Sequence, residues 1–174
     1  DADLRRLLAR TAPALAIVDD DMLARVAGVE GVTCLPRSEF LAAAAPAETG
    51  AEPVPADAED IAVLLFTSGT TGEPKAAVLR HRHLTSYVIS TLEFMSAGED
   101  EAALVSVPPY HIAAVSAVLT STYLGRRVVH LENFTPEEWV RVAARERVTH
   151  AMLVPTMLGR VLDVLEASGG QLPQ

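Results

Sequence analysis

The sequence predicts an α/β fold, with a parallel-rich β-sheet flanked by helices. Short apolar runs of the kind found in strands alternate along the 174 residues with segments whose apolar side chains recur at helical spacing. Strand–helix alternation of this kind indicates parallel strands joined by helical crossovers. Hydrophobic residues make up 49% and charged residues 21% of the chain, which is the composition of a folded globular protein.

Residues 1–45 are predicted to form a first βα segment. Leu4, Leu7 and Leu8 recur at the spacing of one helix face, so the chain opens with an amphipathic helix. The other predicted elements are strands over residues 14–18 and 32–35 and helices over residues 22–26 and 39–45. Ser38 is the predicted N-cap of the last helix, because a serine side chain accepts hydrogen bonds from the first helical N–H groups.

Residues 46–60 interrupt the alternation. The segment holds three prolines and five acidic residues and no basic residue. Proline is poorly tolerated inside helices and strands, and a run of like charge favours contact with water. We therefore expect an extended, solvated connector between the first segment and a larger one over residues 61–174.

The 61–174 segment repeats the strand–helix pattern and contains a polar loop. Ile61–Phe66 is a continuous apolar run, which predicts a strand buried on both faces of a sheet. The later predicted strands cover residues 76–79, 104–107, 127–131 and 150–154. The predicted helices cover residues 84–95 and 112–124 and begin after Thr135 and after Pro155. Thr135-Pro136-Glu137-Glu138 has the N-cap, the N1 proline and the acidic residue of a helix start.

Charge and cysteine content exclude several classes of protein. Fourteen Lys and Arg against 23 Asp and Glu give a net charge of −9, so we expect no nucleic-acid partner. Cys34 is the single cysteine, which rules out an internal disulfide and a cysteine-based zinc site. Prolines interrupt the longest uncharged stretch, residues 102–125, and the uncharged residues beyond them are too few to cross a bilayer. We expect a cytoplasmic protein without a transmembrane segment.

The nonapeptide that comes directly after the Ile61–Phe66 run carries the strongest chemical signal. Its hydroxyl, glycine and lysine residues are Thr67, Ser68, Gly69, Thr70, Thr71, Gly72 and Lys75. Glycine lets backbone N–H groups approach a ligand closely, and clustered N–H and O–H donors bind oxyanions. Lysine adds a mobile positive charge that suits phosphate. The nonapeptide therefore predicts a loop that binds a polyphosphate.

Two other interpretations of the nonapeptide are weaker. Gly, Ser, Thr and Pro are common in surface hairpin turns, but a turn needs neither four hydroxyls nor a lysine. In the P-loop of NTPases the glycines are further apart and the lysine follows a glycine, whereas Lys75 follows Pro74. A strand rather than a helix is predicted after the loop, so we do not expect phosphate to bind at a helix N-terminus.

The stretch FTSGTTGEPKAAVLRHRHL, residues 66–84, resembles the phosphate-loop signature of the adenylate-forming superfamily, and the chain is most similar to its acyl-CoA synthetases, the fatty-acid–CoA ligase type. VSVPPYHIAAV (105–115) and RERVTHAMLVPTML (145–158) resemble further parts of that family's N-terminal domain. The resemblance implies a reaction in which ATP and Mg²⁺ convert a carboxylic acid to an acyl-adenylate, which CoA then accepts. It also implies that the seven hydroxyl, glycine and lysine residues bind the β- and γ-phosphates of ATP.

The sequence PPYH, residues 108–111, resembles the family motif in which an aromatic residue and a histidine lie between nucleotide and acyl pocket. The resemblance implies substrate-binding roles for Tyr110 and His111 and catalytic roles for His111 and Lys75. From the residues alone, His111 also fits a hydrogen-bonded turn histidine and Tyr110 also fits simple packing. No acidic residue between Ala102 and Leu131 is present to pair with a substrate ammonium group, which favours a fatty or aryl acid over an amino acid.

Several parts of the family have no counterpart in the sequence. These are the segment whose glutamate holds Mg²⁺, the ribose-binding aspartate, the hinge and the C-terminal lysine. We therefore expect part of a larger N-terminal domain that is inactive without the remainder of its parent chain. No metal site is predicted, since His81 and His83 lack a third ligand nearby. Two alternatives stay open: a non-catalytic nucleotide- or phosphate-binding module, and the amino-acid adenylation domain of a peptide synthetase.

Overall fold

The computed structural model describes residues 2–44, 54–67 and 75–170. Helices and strands alternate along them, and within these ranges three of the four strand pairings are parallel. The predicted α/β class is therefore confirmed. The described strands form three small sheets rather than one. The chain divides into two compact units, Asp1–Val54 and Pro55–Gln174.

The first unit contains one parallel strand pair and its helices. Strand β1 (Leu15–Val18) pairs with β2 (Thr33–Pro36) in a register that runs from Leu15 opposite Thr33 to Val18 opposite Pro36. Helix α1 (Ala2–Thr11) precedes β1, and a 3₁₀ turn (Asp20–Met22) leads into α2 (Leu23–Val26). Helix α3 (Arg37–Ala43) follows β2 directly.

The predicted N-cap of α3 was wrong. The helix begins two residues earlier than expected, so its N-cap is Pro36 and Ser38 lies inside the first turn. The Ser38 hydroxyl donates a hydrogen bond to the Asp20 carboxylate instead of accepting one from the helix. A partner 18 residues away therefore determines where this hydroxyl points.

The second unit opens with an antiparallel hairpin. Strand β3 (Ile61–Thr67) pairs with β4 (Lys75–Arg80), and helix α4 (His81–Thr91) follows β4 without a break. The expectation that the Ile61–Phe66 run is buried on both faces was wrong, since Ile61 and Leu64 are exposed. Within the described residues this sheet has only two strands. A two-stranded sheet does not by itself cover both of its faces.

The rest of the second unit is a three-stranded parallel sheet with helical crossovers. Its strands are β5 (Ala102–Val105), β6 (Arg127–His130) and β7 (His150–Met152), in the spatial order β6-β5-β7. Its helices are α5 (Ile112–Leu124), α6 (Pro136–Arg145) and α7 (Pro155–Ala167). Thr135 caps α6 as predicted, because its hydroxyl accepts from the Glu138 N–H at 3.2 Å.

The core of this sheet lies on the central strand. All four residues of β5 are buried, as expected for a parallel strand with a neighbour on each side. Val105, Val107 and Ala114 form a buried cluster against which Ala113 and Ala117 of α5 also pack. The small residues of α5 therefore let the helix approach the sheet closely.

Two kinds of feature are absent from the described residues. Within 2–44, 54–67 and 75–170, no helix combines the length and the apolar character that crossing a membrane requires. The same ranges contain no group of three His, Cys, Asp or Glu side chains placed to hold a metal ion.

Candidate functional site

The two ends of the nonapeptide lie side by side. Thr67 ends β3, Lys75 begins β4, and the two residues are partners in the antiparallel register. The Thr67 hydroxyl donates to the Lys75 carbonyl oxygen at 3.4 Å. Both side chains are exposed. The hairpin therefore holds Thr67 and Lys75 at one end, with the rest of the predicted phosphate loop between them in the sequence.

The remaining predicted phosphate-binding residues lie outside the described residues. They are Ser68, Gly69, Thr70, Thr71 and Gly72. Their assignment to ATP stays a prediction from the sequence.

Lys75 differs from every other basic residue in the chain. It is the only lysine, so 13 of the 14 Lys and Arg residues are arginines. An ammonium group is a compact charge on a flexible stem, whereas a guanidinium is a planar fork that suits fixed bidentate partners. At the end of an exposed hairpin, the ammonium is free to follow a phosphate group.

Tyr110 and His111 lie in the turn that joins β5 to α5. The His111 N–H donates to the Pro108 carbonyl oxygen at 3.0 Å, which closes the turn. The His111 side chain is also the N-cap of α5, since its Nδ1 accepts from the Ala113 N–H at 3.2 Å. An imidazole that accepts at Nδ1 carries its neutral-form proton on Nε2. In its neutral form His111 therefore has a single side-chain N–H donor, at Nε2, and the neighbouring Tyr110 is 75% exposed.

The topology places this turn where α/β sheets bind ligands. From β5 the chain crosses through α5 to β6 on one side, and from β6 it crosses back through α6 to β7 on the other side. The strand order thus reverses at β5. Ligands of open α/β sheets bind beyond the carboxyl ends of the strands at such a switch point. The turn with Tyr110 and His111 follows the carboxyl end of β5.

The predicted site residues therefore fall into two groups in the second unit. The hairpin pairs Thr67 with Lys75, and the β5–α5 turn presents Tyr110 beside His111. Among the described residues, no hydrogen bond or ion pair joins one group to the other. A ligand that uses both groups has to extend between them.

Glu59 is a residue that the sequence analysis did not single out. Its carboxylate lies 2.7 Å from Arg82 Nε and 3.7 Å from Arg80 Nε, at the end of the hairpin opposite Lys75. The available signal was the charge on either side of the hairpin. Glu59 and Asp60 come before β3, Arg80 ends β4, and Arg82 lies in the first turn of α4. Antiparallel pairing brings such flanking residues together.

Comparison with known proteins gives one family. The profile of the AMP-binding enzyme family matches residues 1–173. A feruloyl-CoA synthase from Amycolatopsis sp is 38% identical over 105 residues, which are 60% of this chain and 21% of that protein. A 2-succinylbenzoate--CoA ligase from Bacillus licheniformis is 35% identical over 131 residues, which are 75% of this chain and 27% of that protein.

A solved structure extends the likeness to three dimensions. ATP-bound MatB from Rhodopseudomonas palustris superposes with a TM-score of 0.71 and 28% identity, over 91% of this chain and 33% of that one. The chain thus spans between a fifth and a third of the length of these relatives. Since the family profile covers nearly every residue, this chain belongs to the AMP-binding enzyme family.

Proposed function

We propose that the protein containing this chain is an AMP-forming acid–thiol ligase. It activates a fatty or aryl carboxylic acid with ATP and transfers the acyl group to CoA. The observation that carries the proposal is the hydroxyl-rich nonapeptide, whose ends Thr67 and Lys75 are paired at the end of a hairpin. The names of the feruloyl-CoA synthase and of the 2-succinylbenzoate--CoA ligase support the acid–CoA assignment, and the ATP in MatB supports the nucleotide.

The proposed reaction has two steps. A carboxylate oxygen attacks the α-phosphorus of ATP, the bond to the bridging oxygen breaks, and pyrophosphate leaves with the electron pair. The CoA thiol then loses its proton to water, its sulfur attacks the acyl carbonyl carbon, the bond from that carbon to the phosphate oxygen breaks, and AMP leaves with the electron pair. Negative charge grows on pyrophosphate in the first step, so donors fixed around the β- and γ-phosphates accelerate that step. We assign this role to Thr67, Ser68, Gly69, Thr70, Thr71, Gly72 and Lys75.

Mg²⁺ neutralises phosphate charge when it accompanies ATP. The described residues offer no group of three side chains that suits a metal ion. We therefore propose that Mg²⁺ arrives bound to the phosphates, and we assign no residue of this chain as its ligand.

His111 and Tyr110 are proposed to contact the acid and the forming adenylate. With Nδ1 occupied by the Ala113 N–H, the His111 Nε2–H is the donor available to an oxyanion. Within residues 102–131 the chain offers no carboxylate for a substrate ammonium group, so an uncharged acyl chain fits better than an amino acid. The aromatic acids in the names of both relatives make aryl acids the first to test.

Location and organisation belong to the same proposal. We propose a cytoplasmic enzyme with no nucleic-acid partner, in keeping with a single cysteine and a net charge of −9. We also propose that residues 1–45 and 61–174 are two parts of one larger N-terminal domain, with residues 46–60 as the connector.

The test is ATP–pyrophosphate exchange by the full-length protein with a panel of fatty, aryl and amino acids. Exchange that depends on one class of carboxylic acid, followed by thioester formation with CoA, is the expected result. Lys75→Ala should slow exchange about ten- to two-hundredfold, because it removes one charge-assisted hydrogen bond worth about 1.5–3 kcal/mol.

The matched control is Arg141→Ala, which removes an exposed cation paired with Glu138 on α6. It should leave exchange within about twofold of the wild type, since exposed ion pairs contribute little. An unchanged rate in Lys75→Ala contradicts the role of the nonapeptide. ATP binding without any exchange supports the non-catalytic module, and exchange with amino acids alone supports the peptide-synthetase alternative.

A further inference from the structure

The acidic residues just before β3 form a closed turn. The Asp60 N–H donates to the Asp57 carbonyl oxygen at 3.0 Å, and the Asp57 N–H donates to an Asp60 carboxylate oxygen at 2.9 Å. The Glu59 N–H donates to the Asp57 carboxylate at 2.8 Å. These reciprocal hydrogen bonds fix residues 57–60, the last four residues of the expected connector, in one conformation.

This turn covers the start of α4. The first N–H groups of a helix have no partner within the helix. Here the His81 N–H donates to the Asp60 carbonyl oxygen at 3.1 Å, and the Arg82 N–H donates to the Ala58 carbonyl oxygen at 3.0 Å. The turn thus satisfies two donors of a helix that follows β4 without a break.

Glu59 adds side-chain contacts to the same junction. Its carboxylate lies 2.7 Å from Arg82 Nε and 3.7 Å from Arg80 Nε, and Arg80 also donates to the Glu59 carbonyl oxygen. The Glu59 carboxylate therefore links the segment before β3 to both the last residue of β4 and the first turn of α4. A negative charge near a helix N-terminus also interacts favourably with the helix dipole.

The Glu59 contacts with Arg80 and Arg82 and the proposed phosphate site lie at opposite ends of one hairpin. The β3–β4 register runs from Ile61 opposite Arg80, beside the turn, to Thr67 opposite Lys75. A strand of this length reaches about 20 Å. Because a two-stranded sheet is only marginally stable by itself, we expect contacts at the base of the hairpin to influence where its far end lies.

We infer that Glu59 is a positioning residue for ATP binding: it braces the base of the β3–β4 hairpin against α4 and so fixes the place of Lys75. This inference rests on the proposed function, because it takes Lys75 to bind the phosphates. Glu59 itself is too far along the hairpin to touch them, and its negative charge would repel them.

The test is the variant Glu59→Gln in the full-length protein, with ATP affinity measured by calorimetry and with both Michaelis constants determined. The glutamine keeps the shape of the side chain and removes the charge that holds Arg82. We expect ATP affinity to fall about two- to fivefold, which is the upper part of the range for loss of an exposed ion pair. The KM for the carboxylic acid should stay within about twofold, because the β5–α5 turn is not part of the brace.

Two further variants separate positioning from general destabilisation. Glu138→Gln removes a carboxylate that pairs with Arg141 on α6, a comparable exposed pair away from the hairpin, and should leave ATP affinity unchanged. Glu59→Asp keeps the charge one methylene group further from Arg82 and should restore part of the affinity. Equal weakening of ATP and acid binding, or equal effects of Glu59→Gln and Glu138→Gln, would overturn the inference.

Lys75→Ala distinguishes failure of the inference from failure of the proposed function. If Lys75→Ala weakens ATP binding and Glu59→Gln does not, the proposed phosphate role of Lys75 is supported and the positioning role of Glu59 is contradicted. If neither variant changes ATP binding, the proposed function itself is contradicted.

Discussion

At the N-terminus of α5, the imidazole of the exposed residue His111 accepts a hydrogen bond from the Ala113 N–H through Nδ1, and Nε2 takes no part in this cap. The turn-histidine interpretation and the proposed substrate contact are therefore compatible, because they use different ring nitrogens. The cap orients the ring, and an oriented N–H donor loses little conformational freedom when a ligand binds.

Two substitutions distinguish the helix-capping role of His111 from its proposed contact with the substrate. An asparagine side chain is a good N-cap, so His111→Asn should retain helix protection, whereas His111→Ala should lose about 1 kcal/mol of local stability. Both variants lack the Nε2–H donor and should lose about tenfold or more in exchange rate. Hydrogen exchange of peptides from α5 measures the first effect and ATP–pyrophosphate exchange the second. Full activity in His111→Asn would contradict the substrate contact.

Glu101 directly precedes the central strand β5, and its carboxylate lies close to three other residues. Arg126 Nη2 lies 2.6 Å from its carboxylate, the Gly98 N–H donates to it at 3.2 Å, and His150 Nδ1 lies 3.7 Å away. The hydrogen bond from the Arg126 guanidinium, followed by that from Gly98, holds the pKa of Glu101 below its usual value of 4.5. The ionised carboxylate therefore stabilises the folded chain.

A lowered pKa predicts a definite pH dependence. Protons bind the unfolded chain first, so the stabilisation by Glu101 is present above pH 4.5 and is lost as the pH falls through the lower folded-state pKa. Glu101→Gln should lower the urea concentration at the unfolding midpoint at neutral pH. This effect of the substitution should become progressively smaller as the pH falls below 4.5. Urea titrations of both proteins from about pH 7 to about pH 3 check this. A difference that grows in acid would contradict it.

At the scale of single elements, helix α4 is shorter than the sequence predicts. Its apolar stripe was expected to continue to Met95, but the helix ends at Thr91. The segment after Thr91 runs across the end of α5 instead, where the Met95 N–H donates to the Tyr123 carbonyl oxygen at 3.1 Å and Phe94 packs edge-on against Tyr123. Contacts across 28 residues of sequence thus override the helical periodicity.

Gly125 lies next to this segment, beside the end of the Met95 side chain. It ends α5 in the left-handed conformation with φ of 76°, and a Cβ there would lie 2.9 Å from both Sδ and Cε of Met95. Gly159, inside α7, has open space within 4 Å of the point that a Cβ would occupy. The two glycines therefore differ in both conformation and space.

Alanine at these two positions should have opposite effects. Gly125→Ala should destabilise the region by about 1 kcal/mol, because alanine is strained in the left-handed conformation, while the flexible end of Met95 can shift away from the new methyl group. Gly159→Ala should stabilise α7 by about 0.5–1 kcal/mol, because alanine is the better residue in a helix interior. Hydrogen exchange of peptides from α5 and α7 measures both changes. Equal tolerance of the two substitutions would contradict the account of Gly125.

For the whole molecule, the chain belongs to the AMP-binding enzyme family and spans only part of the length of the relatives it matches. It spans 21% of the feruloyl-CoA synthase and 27% of the 2-succinylbenzoate--CoA ligase. Its candidate groups, the end of the hairpin and the β5–α5 turn, are proposed to supply phosphate and acyl contacts. The resemblance described above implies further segments, for Mg²⁺, for ribose and for a catalytic lysine, that are not found within these 174 residues.

We therefore predict that the 174 residues alone give no ATP–pyrophosphate exchange, whereas the full-length protein does. The physical reason is that phosphate contacts alone leave the nucleotide and the acid unoriented, and orientation supplies a large part of the acceleration. Exchange assays on both proteins with the same acids measure the difference. Exchange by the 174-residue chain would show that its own residues suffice.

Much of the fold follows from local sequence. The predicted bounds of α5, residues 112–124, match the structure, as does the Thr135 cap of α6. The return strand was predicted one residue short at each end, and the resulting hairpin carries the candidate site. These features depend on the conformational preferences of a few adjacent residues, which the sequence displays directly.

Other features depended on contacts between distant segments. Ser38 points to Asp20 rather than capping its helix, and Glu59 meets Arg82 across the hairpin, because the fold brings those residues together. The exposure of Ile61 likewise reflects which segments pack against β3 and which do not. Apolar composition describes what a strand is able to bury, not what covers it.

The amino-acid sequence by itself determined the α/β class and the position of the hairpin, because backbone preference is a property of neighbouring residues. The polyphosphate role of the nonapeptide is a prediction that rests on the sequence. Only the tertiary structure decided that β5 is the central strand and that Glu59 faces Arg82. Those outcomes require chain closure between distant residues, and the pairing that results is set by packing and charge in three dimensions.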